Sequence, residues 1–250
     1  MISVCILTKN AALTLKNTLD SVRSFSEVIV LDNGSIDDTC LLAASYPNVR
    51  VHKTPFIGFG PLRNQAAQLA SNDWILSLDS DEVLSPALLK EISELTLDPF
   101  LAYVFPRHNF YNGKRIRGCG WDPEYIARLY HRSEARFSEA QVHEELKAKR
   151  LQRLTSPLFH TPYRSTADFL AKMQHYSTLF AQQYQNKRKS SFSIAMAHAL
   201  YAFFRSYFLK RGIFCGVEGF VISFYNANTT FYKYLKLAEA NQSSRSLHPR

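Results

Sequence analysis

Trp74-Ile75-Leu76-Ser77-Leu78-Asp79-Ser80-Asp81-Glu82 reads as a buried strand, apolar at Trp74, Ile75, Leu76 and Leu78, that runs into three carboxylates with one small residue among them. Carboxylates at a strand end are costly to bury unless positive charge meets them. Asp79 and Asp81 are two apart, so an extended strand would put them on one face, whereas a turn would aim them differently. Such a pair suits a hard divalent cation, Mg²⁺ or Mn²⁺, that keeps positions open for phosphate oxygens. The alternative is a polar strand end that begins a loop, with Ser85-Pro86 then capping a helix.

The preceding residues repeat one unit. Ile2 to Leu7 is an apolar run of strand type, followed by the loop Thr8-Lys9-Asn10. Leu15, Leu19 and Val22 fall at helical spacing within 11–24. Glu27 to Asp32 is a second strand ending in a carboxylate, Asn33-Gly34-Ser35 turns the chain, and Asp37-Asp38-Thr39 opens another helix. A strand at Val49 to His52, a loop through Gly58 and Gly60 and a helix from about Pro61 to Ala70 complete the approach to Trp74. This β-α-β-α-β-α-β order predicts an α/β fold, a mainly parallel sheet with helices on both faces. Ligands of such sheets collect at the carboxyl ends of the strands, so Thr8 to Asn10, Asp32 and the Asp79–Asp81 pair should converge on one cleft edge. No GxGxxG follows the first strand and no GxxxxGK[ST] is present, which weighs against a dinucleotide-binding Rossmann domain and a P-loop.

With 250 residues, 46% of them hydrophobic, the chain can bury one large domain or one domain with an appendage. Cys5, Cys40, Cys119 and Cys215 are scattered, form no CxxC pair and imply neither a zinc site nor a disulfide framework. The N-terminal run lacks a basic segment and a small-residue cleavage site, so a cytoplasmic location is expected. Charge is uneven: residues 1–124 carry 11 Lys and Arg against 14 Asp and Glu, or −3, while residues 125–250 carry 19 against 7, or +12. The basic half faces something acidic.

Residues 98–125 combine the strand-like Tyr103-Val104-Phe105-Pro106 with Lys114-Arg115-Ile116-Arg117 and glycines at 113, 118 and 120, a pattern of either a mobile basic loop or a solvated hairpin. Farther on, Phe169, Met173, Tyr176, Phe180 and Tyr184 mark one face of a helix. Ile194 to Leu209 is aromatic and apolar but contains Arg205 and is too short to cross a hydrocarbon core of about 30 Å. Such helices fit a peripheral place on an anionic membrane surface, with Lys187-Arg188-Lys189, Arg205, Lys210, Arg211, Lys233 and Lys236 meeting headgroups; packing on the sheet is the alternative. Nucleic acid is not expected, because these cations sit among apolar helices rather than in a polar groove with stacking aromatics.

Ser3 to Asn10, Val30 to Thr39, Arg63-Asn64 and Leu78-Asp79-Ser80-Asp81-Glu82 together resemble family 2 glycosyltransferases with the GT-A fold. Gly120-Trp121-Asp122-Pro123 running to Arg128-Leu129-Tyr130, then Val142-His143-Glu144 and the basic aromatic tail, resemble its lipopolysaccharide core branch of the KdtX/WaaE type. The resemblance implies a GT-A catalytic domain over 1–160, its nucleotide-sugar half about 1–97 and its acceptor half about 98–160, with a helical extension over 161–250. It further implies a metal-dependent, inverting hexosyltransferase that moves a sugar from a nucleotide-diphosphate donor, with UDP favoured, to a lipopolysaccharide core or other lipid-linked acceptor at the inner face of the cytoplasmic membrane. Thr8, Asn10, Asp32, Arg63 and Asp79 would bind the donor nucleotide, and Asp81 with Asp79 would hold the cation. Glu144 would be the base that takes the proton of the acceptor hydroxyl, although adjacent Glu145 leaves that assignment open by one position on spacing alone. Trp121, Asp122, His143 and His160 would support the site or its acceptor side. For Asp32 a turn-capping role stands beside the ligand role. A sugar-phosphate nucleotidyltransferase and a non-catalytic membrane-surface module are the alternative functions; the first would want a Gly-rich N-terminal phosphate loop, which Thr8-Lys9-Asn10 does not offer.

Overall fold

The computed structural model of the chain describes residues 1–139 and 144–246. The chain divides into two units, residues 1–108 with 124–160 and residues 109–123 with 161–250.

The first unit begins with the repeated pattern. Strand β1 (Ile2–Thr8), helix α1 (Ala12–Ser21), β2 (Glu27–Asp32), α2 (Thr39–Ala44), β3 (Val49–Lys53), α3 (Phe59–Leu69) and β4 (Trp74–Asp79) follow in order. β1 lies between β2 and β4, β3 flanks β2, and all these pairings are parallel. After β4 come the short β5 (Glu82–Leu84), α4 (Pro86–Glu94), β6 (Leu101–Tyr111), β7 (Lys114–Arg115), β8 (Glu124–His131), β9 (Arg136–Phe137), β10 (Leu146–Lys147), β11 (Arg150–Arg153) and β12 (Leu158–His160). The sheet runs β3-β2-β1-β4-β8-β6-β12-β5, with β11 and β7 also on β6, and β9 pairs β10 separately. Its parallel half is the one the sequence predicts. Beyond β4 the chain returns antiparallel through β8 and β6.

The alternation of side chains along each strand explains why both faces carry helices. Val4, Ile6, Val28, Val30, Leu76 and Leu78 pack with Leu15 and Leu19 of α1, Ala43 of α2 and Leu88 and Ile92 of α4. Cys5, Leu7, Ile29, Leu31 and Ile75 point the other way and pack with Leu62, Ala66 and Ala67 of α3. α4 starts where Ser85-Pro86 predicts: Ser85 Oγ accepts from Leu88 N at 3.1 Å, with proline in the first turn.

The second unit is helical: α5 (Thr166–Tyr184), α6 (Phe192–Phe204) continued by a π turn (Arg205–Leu209), a 3₁₀ turn (Gly212–Cys215) and α7 (Gly216–Ser246). Segment 109–123 belongs here and is a hairpin rather than a free loop. Asn112 and Gly113, with φ of 50° and 71°, turn the chain between β6 and β7. Cys119 N donates to Lys210 O at 2.8 Å, and Gly118 lies so close to Arg211 that a Cβ would sit 2.5 Å from that carbonyl oxygen. On α5, Phe169 is buried but Tyr176 is exposed; Ser177 and Ala181 replace it on the inward face. Spacing of four residues from Phe169 selects that row.

α7 packs its Gly219 onto the 3₁₀ turn, where an added Cβ would meet the Gly212 carbonyl oxygen at 1.9 Å. Because that neighbour is backbone, Gly219→Ala is expected to cost about 2 kcal/mol or more, read as a lowered urea midpoint for unfolding.

Candidate functional site

Strand β4 stops at Asp79, and the chain turns through Ser80 and Asp81 into β5. Two bonds hold that turn: Asp79 N donates to Glu82 Oε2 at 3.0 Å, and Thr18 Oγ1 of α1 donates to Ser80 O at 3.0 Å. With the strand ended, the two aspartates do not share a face. Asp79 Oδ1 meets Arg63 Nη2 at 2.5 Å and Oδ2 meets Arg128 Nη2 at 2.7 Å. Asp81 Oδ2 faces His160 Nε2 at 3.5 Å. Register explains the second meeting, because antiparallel pairing of β12 with β5 sets His160 opposite Glu82, next to Asp81. Both oxygens of Asp79 thus meet guanidiniums, while Asp81 faces an imidazole.

Glu82 is fully buried and lies at the centre of the charges. It accepts from Arg107 Nη1 at 2.9 Å, from Arg128 Nη2 at 2.9 Å and from Arg128 Nε at 3.2 Å. Arg107 also grips Glu124 through two bonds, Nη2 to Oε1 at 2.6 Å and Nε to Oε2 at 3.0 Å, because β6 and β8 pair these residues directly. Sequence reasoning missed Glu82, Arg107 and Arg128 as site residues. The available signal was an arginine inside the strand-like run Ile126-Ala127-Arg128-Leu129-Tyr130, a place that only a carboxylate partner makes tolerable.

Arg63 is buried on α3 rather than solvated. Its fork reaches three side chains: Nε donates to Glu144 Oε1 at 2.9 Å, Nη1 to Ser77 Oγ at 2.9 Å, and Nη2 to Asp79. The Phe137 ring lies 5.2 Å from its guanidinium carbon. Arg63 thus brings Glu144 and Asp79 to one cation. Glu145 points elsewhere and pairs with Lys147 at 2.6 Å. His143 lies outside the described residues.

The loops after β1 and β2 are stitched together at the same end of the sheet. Asp32 accepts from Gly34 N at 3.1 Å, Ser35 N at 2.9 Å and Thr8 Oγ1 at 3.2 Å, as well as from the Ser35 hydroxyl. Burial would raise its pKa, but these bonds outweigh burial and hold the carboxyl below its usual range. The turn-capping role is therefore present in the structure. Asn10, at φ 51°, donates its N–H to Ser35 Oγ at 2.8 Å and accepts from Ile36 N at 2.9 Å. Trp121 and Asp122 fall in the second unit, where Trp121 stacks on Tyr163 and Asp122 pairs with Arg115 at 3.0 Å.

A family model described as Glycosyl transferase family 2 matches residues 3–156. An uncharacterized glycosyltransferase of Rickettsia bellii is 29% identical over 99% of this chain and 88% of its own length. The lipopolysaccharide core biosynthesis glycosyltransferase LpsC of Rhizobium meliloti is 26% identical over 94% of this chain and 91% of its own. Among solved structures, S. aureus TarS 1-349 in complex with UDP-GlcNAc aligns over 100% of this chain and 93% of that one, at 15% identity and a TM-score of 0.48. Glucosyl-3-phosphoglycerate synthase from Mycobacterium tuberculosis, in complex with Mn²⁺, UDP and phosphoglyceric acid, aligns over 72% and 78% at 20% identity and a TM-score of 0.44.

Burial by itself would raise the Asp79 pKa, but Arg63 and then Arg128 outweigh it and hold the carboxyl far below its usual range. A depressed folded-state pKa contributes stability that is present above the unfolded value of about 3.9 and is lost as pH falls below it. Asp79→Asn should therefore flatten the acid limb of urea midpoint against pH below about pH 4. Arg63→Ala, which leaves Asp79 and Glu144 short of a buried cation, should cost about 3–5 kcal/mol, with Arg63→Lys intermediate in the same denaturation series.

Proposed function

The chain belongs to glycosyl transferase family 2, and from that premise we propose that it moves a sugar from a nucleoside-diphosphate donor, UDP being favoured by the resemblance, to a lipopolysaccharide core or other lipid-linked acceptor with inversion. The observation that carries the reading is the charge arrangement at the end of β4. Asp79, Asp81, Glu82, Glu124 and Glu144 set five carboxylates against the three guanidiniums of Arg63, Arg107 and Arg128. The shortfall of positive charge falls at Asp81, which faces the His160 imidazole.

That donor set fits a divalent cation. Among the described residues no group of three ligating side chains occurs, so Asp81 and His160 would supply two positions and leave the others to phosphate oxygens and water, as Mg²⁺ and Mn²⁺ sites commonly do. When bound, such a cation stabilises the charge that develops on the departing diphosphate. Asp79 then acts through Arg63 and Arg128, keeping both guanidiniums directed at the strand end. Asp32, Thr8 and Asn10 shape the nucleotide side. There the buried side-chain oxygen of Asn33, without a partner among the described residues, offers a further acceptor.

Glu144 is the proposed base. Arg63 Nε holds Oε1 and so fixes the orientation of the carboxylate, while Oε2 takes the acceptor's proton as the hydroxyl attacks the anomeric carbon. The bond to the diphosphate breaks in the same displacement. The acceptor class is supported by the likeness to LpsC and by the second unit, where Phe192, Met196, Leu200, Phe204 and Phe208 form an exposed row at every fourth residue. Among the described residues no helix is long and apolar enough to cross a membrane. The row suits a helix lying in the interface at the inner face of the cytoplasmic membrane.

Donor turnover, read as nucleoside diphosphate released with a membrane extract as acceptor, tests the chemistry. Glu144→Gln should lower kcat about a hundred- to ten-thousand-fold with donor affinity retained. Asp81→Asn should abolish stimulation by Mn²⁺ and weaken Mn²⁺ binding measured by titration calorimetry; metal binding unchanged in Asp81→Asn would refute the cation assignment.

A further inference from the structure

The second unit holds a pocket of about 450 Å³ beside the connection from α5 to α6, lined by Lys187, Arg188, Lys189, Ser190 and Asn241 among others. A run of three cations is ordinarily a solvated stretch of chain, but this one is bolted down. Asn186, at φ 60°, donates its N–H to Asn241 Oδ1 at 2.8 Å, and Asn241 Nδ2 returns a bond to Arg188 O at 2.8 Å. Ser190 Oγ donates to Tyr234 O at 2.6 Å. The Arg188 guanidinium rests on the Tyr184 ring, 4.0 Å from its centroid. A single asparagine on α7 thus holds the backbone just before and in the middle of the basic segment.

The charge of the pocket is unbalanced. No carboxylate lines it, and among the described residues no ion pair to Lys187, Arg188 or Lys189 is formed. From residue 169 to residue 217 the chain has seven Lys and Arg and no Asp or Glu. Three cations along a backbone held at Asn186 and Arg188 match a multiply charged oxyanion better than a single carboxylate. The connection leads directly into the exposed apolar row that begins at Phe192, so a ligand with a phosphate group and an apolar tail would meet both.

We propose that the Lys187–Lys189 pocket binds a phosphate group, carried by a phospholipid headgroup or by a soluble phosphorylated compound. This site uses no residue of the β4 end, so its failure and the failure of the transferase reading are separable.

The test uses the full chain, with inorganic phosphate followed by NMR titration, and vesicles of phosphatidylcholine with and without phosphatidylglycerol followed by co-sedimentation. The variant Lys187→Gln/Arg188→Gln/Lys189→Gln is compared with Arg205→Gln/Lys210→Gln/Arg211→Gln, which removes the same charge elsewhere in the unit. Saturable phosphate binding by the parent and by the second variant, lost about a hundredfold in the first, is the expected result at about fivefold per cation. Loss of the phosphatidylglycerol preference in the first variant alone assigns the phosphate to a lipid headgroup; an unchanged preference with phosphate binding lost assigns it to a soluble ligand. Equal weakening by both variants, or no saturable phosphate binding by the parent, would overturn the proposal.

Discussion

Carboxylates at the end of a central strand can leave water only if cations arrive with them. Here α3 delivers Arg63, β6 delivers Arg107 and β8 delivers Arg128 to Asp79 and Glu82. The parallel half of the sheet aligns strand ends, which concentrates acidic loop residues at one edge. The antiparallel return through β8 and β6 lays arginines beside that edge. Fold and site are therefore one arrangement: the strands that extend the sheet also neutralise it.

Glu144 and Asp81 stand out against this background because each meets the network from its margin. Glu144 touches it through Arg63, and Asp81 leaves it for His160. A carboxylate held by one bond of a buried arginine is fixed in orientation. A carboxylate opposed by an imidazole retains the capacity to accept a cation. The turn at Ser80 directs Asp79 and Asp81, two acids of one motif, to different partners.

In the helical unit the organising constraint is close backbone approach. Gly118, Gly212 and Gly219 admit neighbouring backbone or buried side chains into the space a Cβ would fill. Tyr111, Ile116, Cys119, Phe169, Cys215 and Ile222 make up its core. Phe203 and Tyr207 meet Phe220 edge-on across α6 and α7, leaving Leu200, Phe204, Val217 and Phe224 exposed on either side of that aromatic seam. These apolar side chains make an exposed patch on two packed helices.

Local pattern alone determined the strand and helix order as far as β4 and the start of α4 at Ser85, because periods of two and 3.6 residues are properties of neighbouring positions. It also singled out Asp79 and Asp81, and the resemblance to family 2 glycosyltransferases added Arg63 and Glu144. It missed the partners of those charges. Arg128 pairs with Asp79 across 49 residues and Arg63 with Glu144 across 81, distances at which no spacing rule operates. Strand register and burial made those choices: β8 had to lie beside β4, and β12 beside β5, before a guanidinium or an imidazole had a carboxylate to face. Composition set how much charge the chain carries; only the tertiary structure decided which charges water would no longer screen.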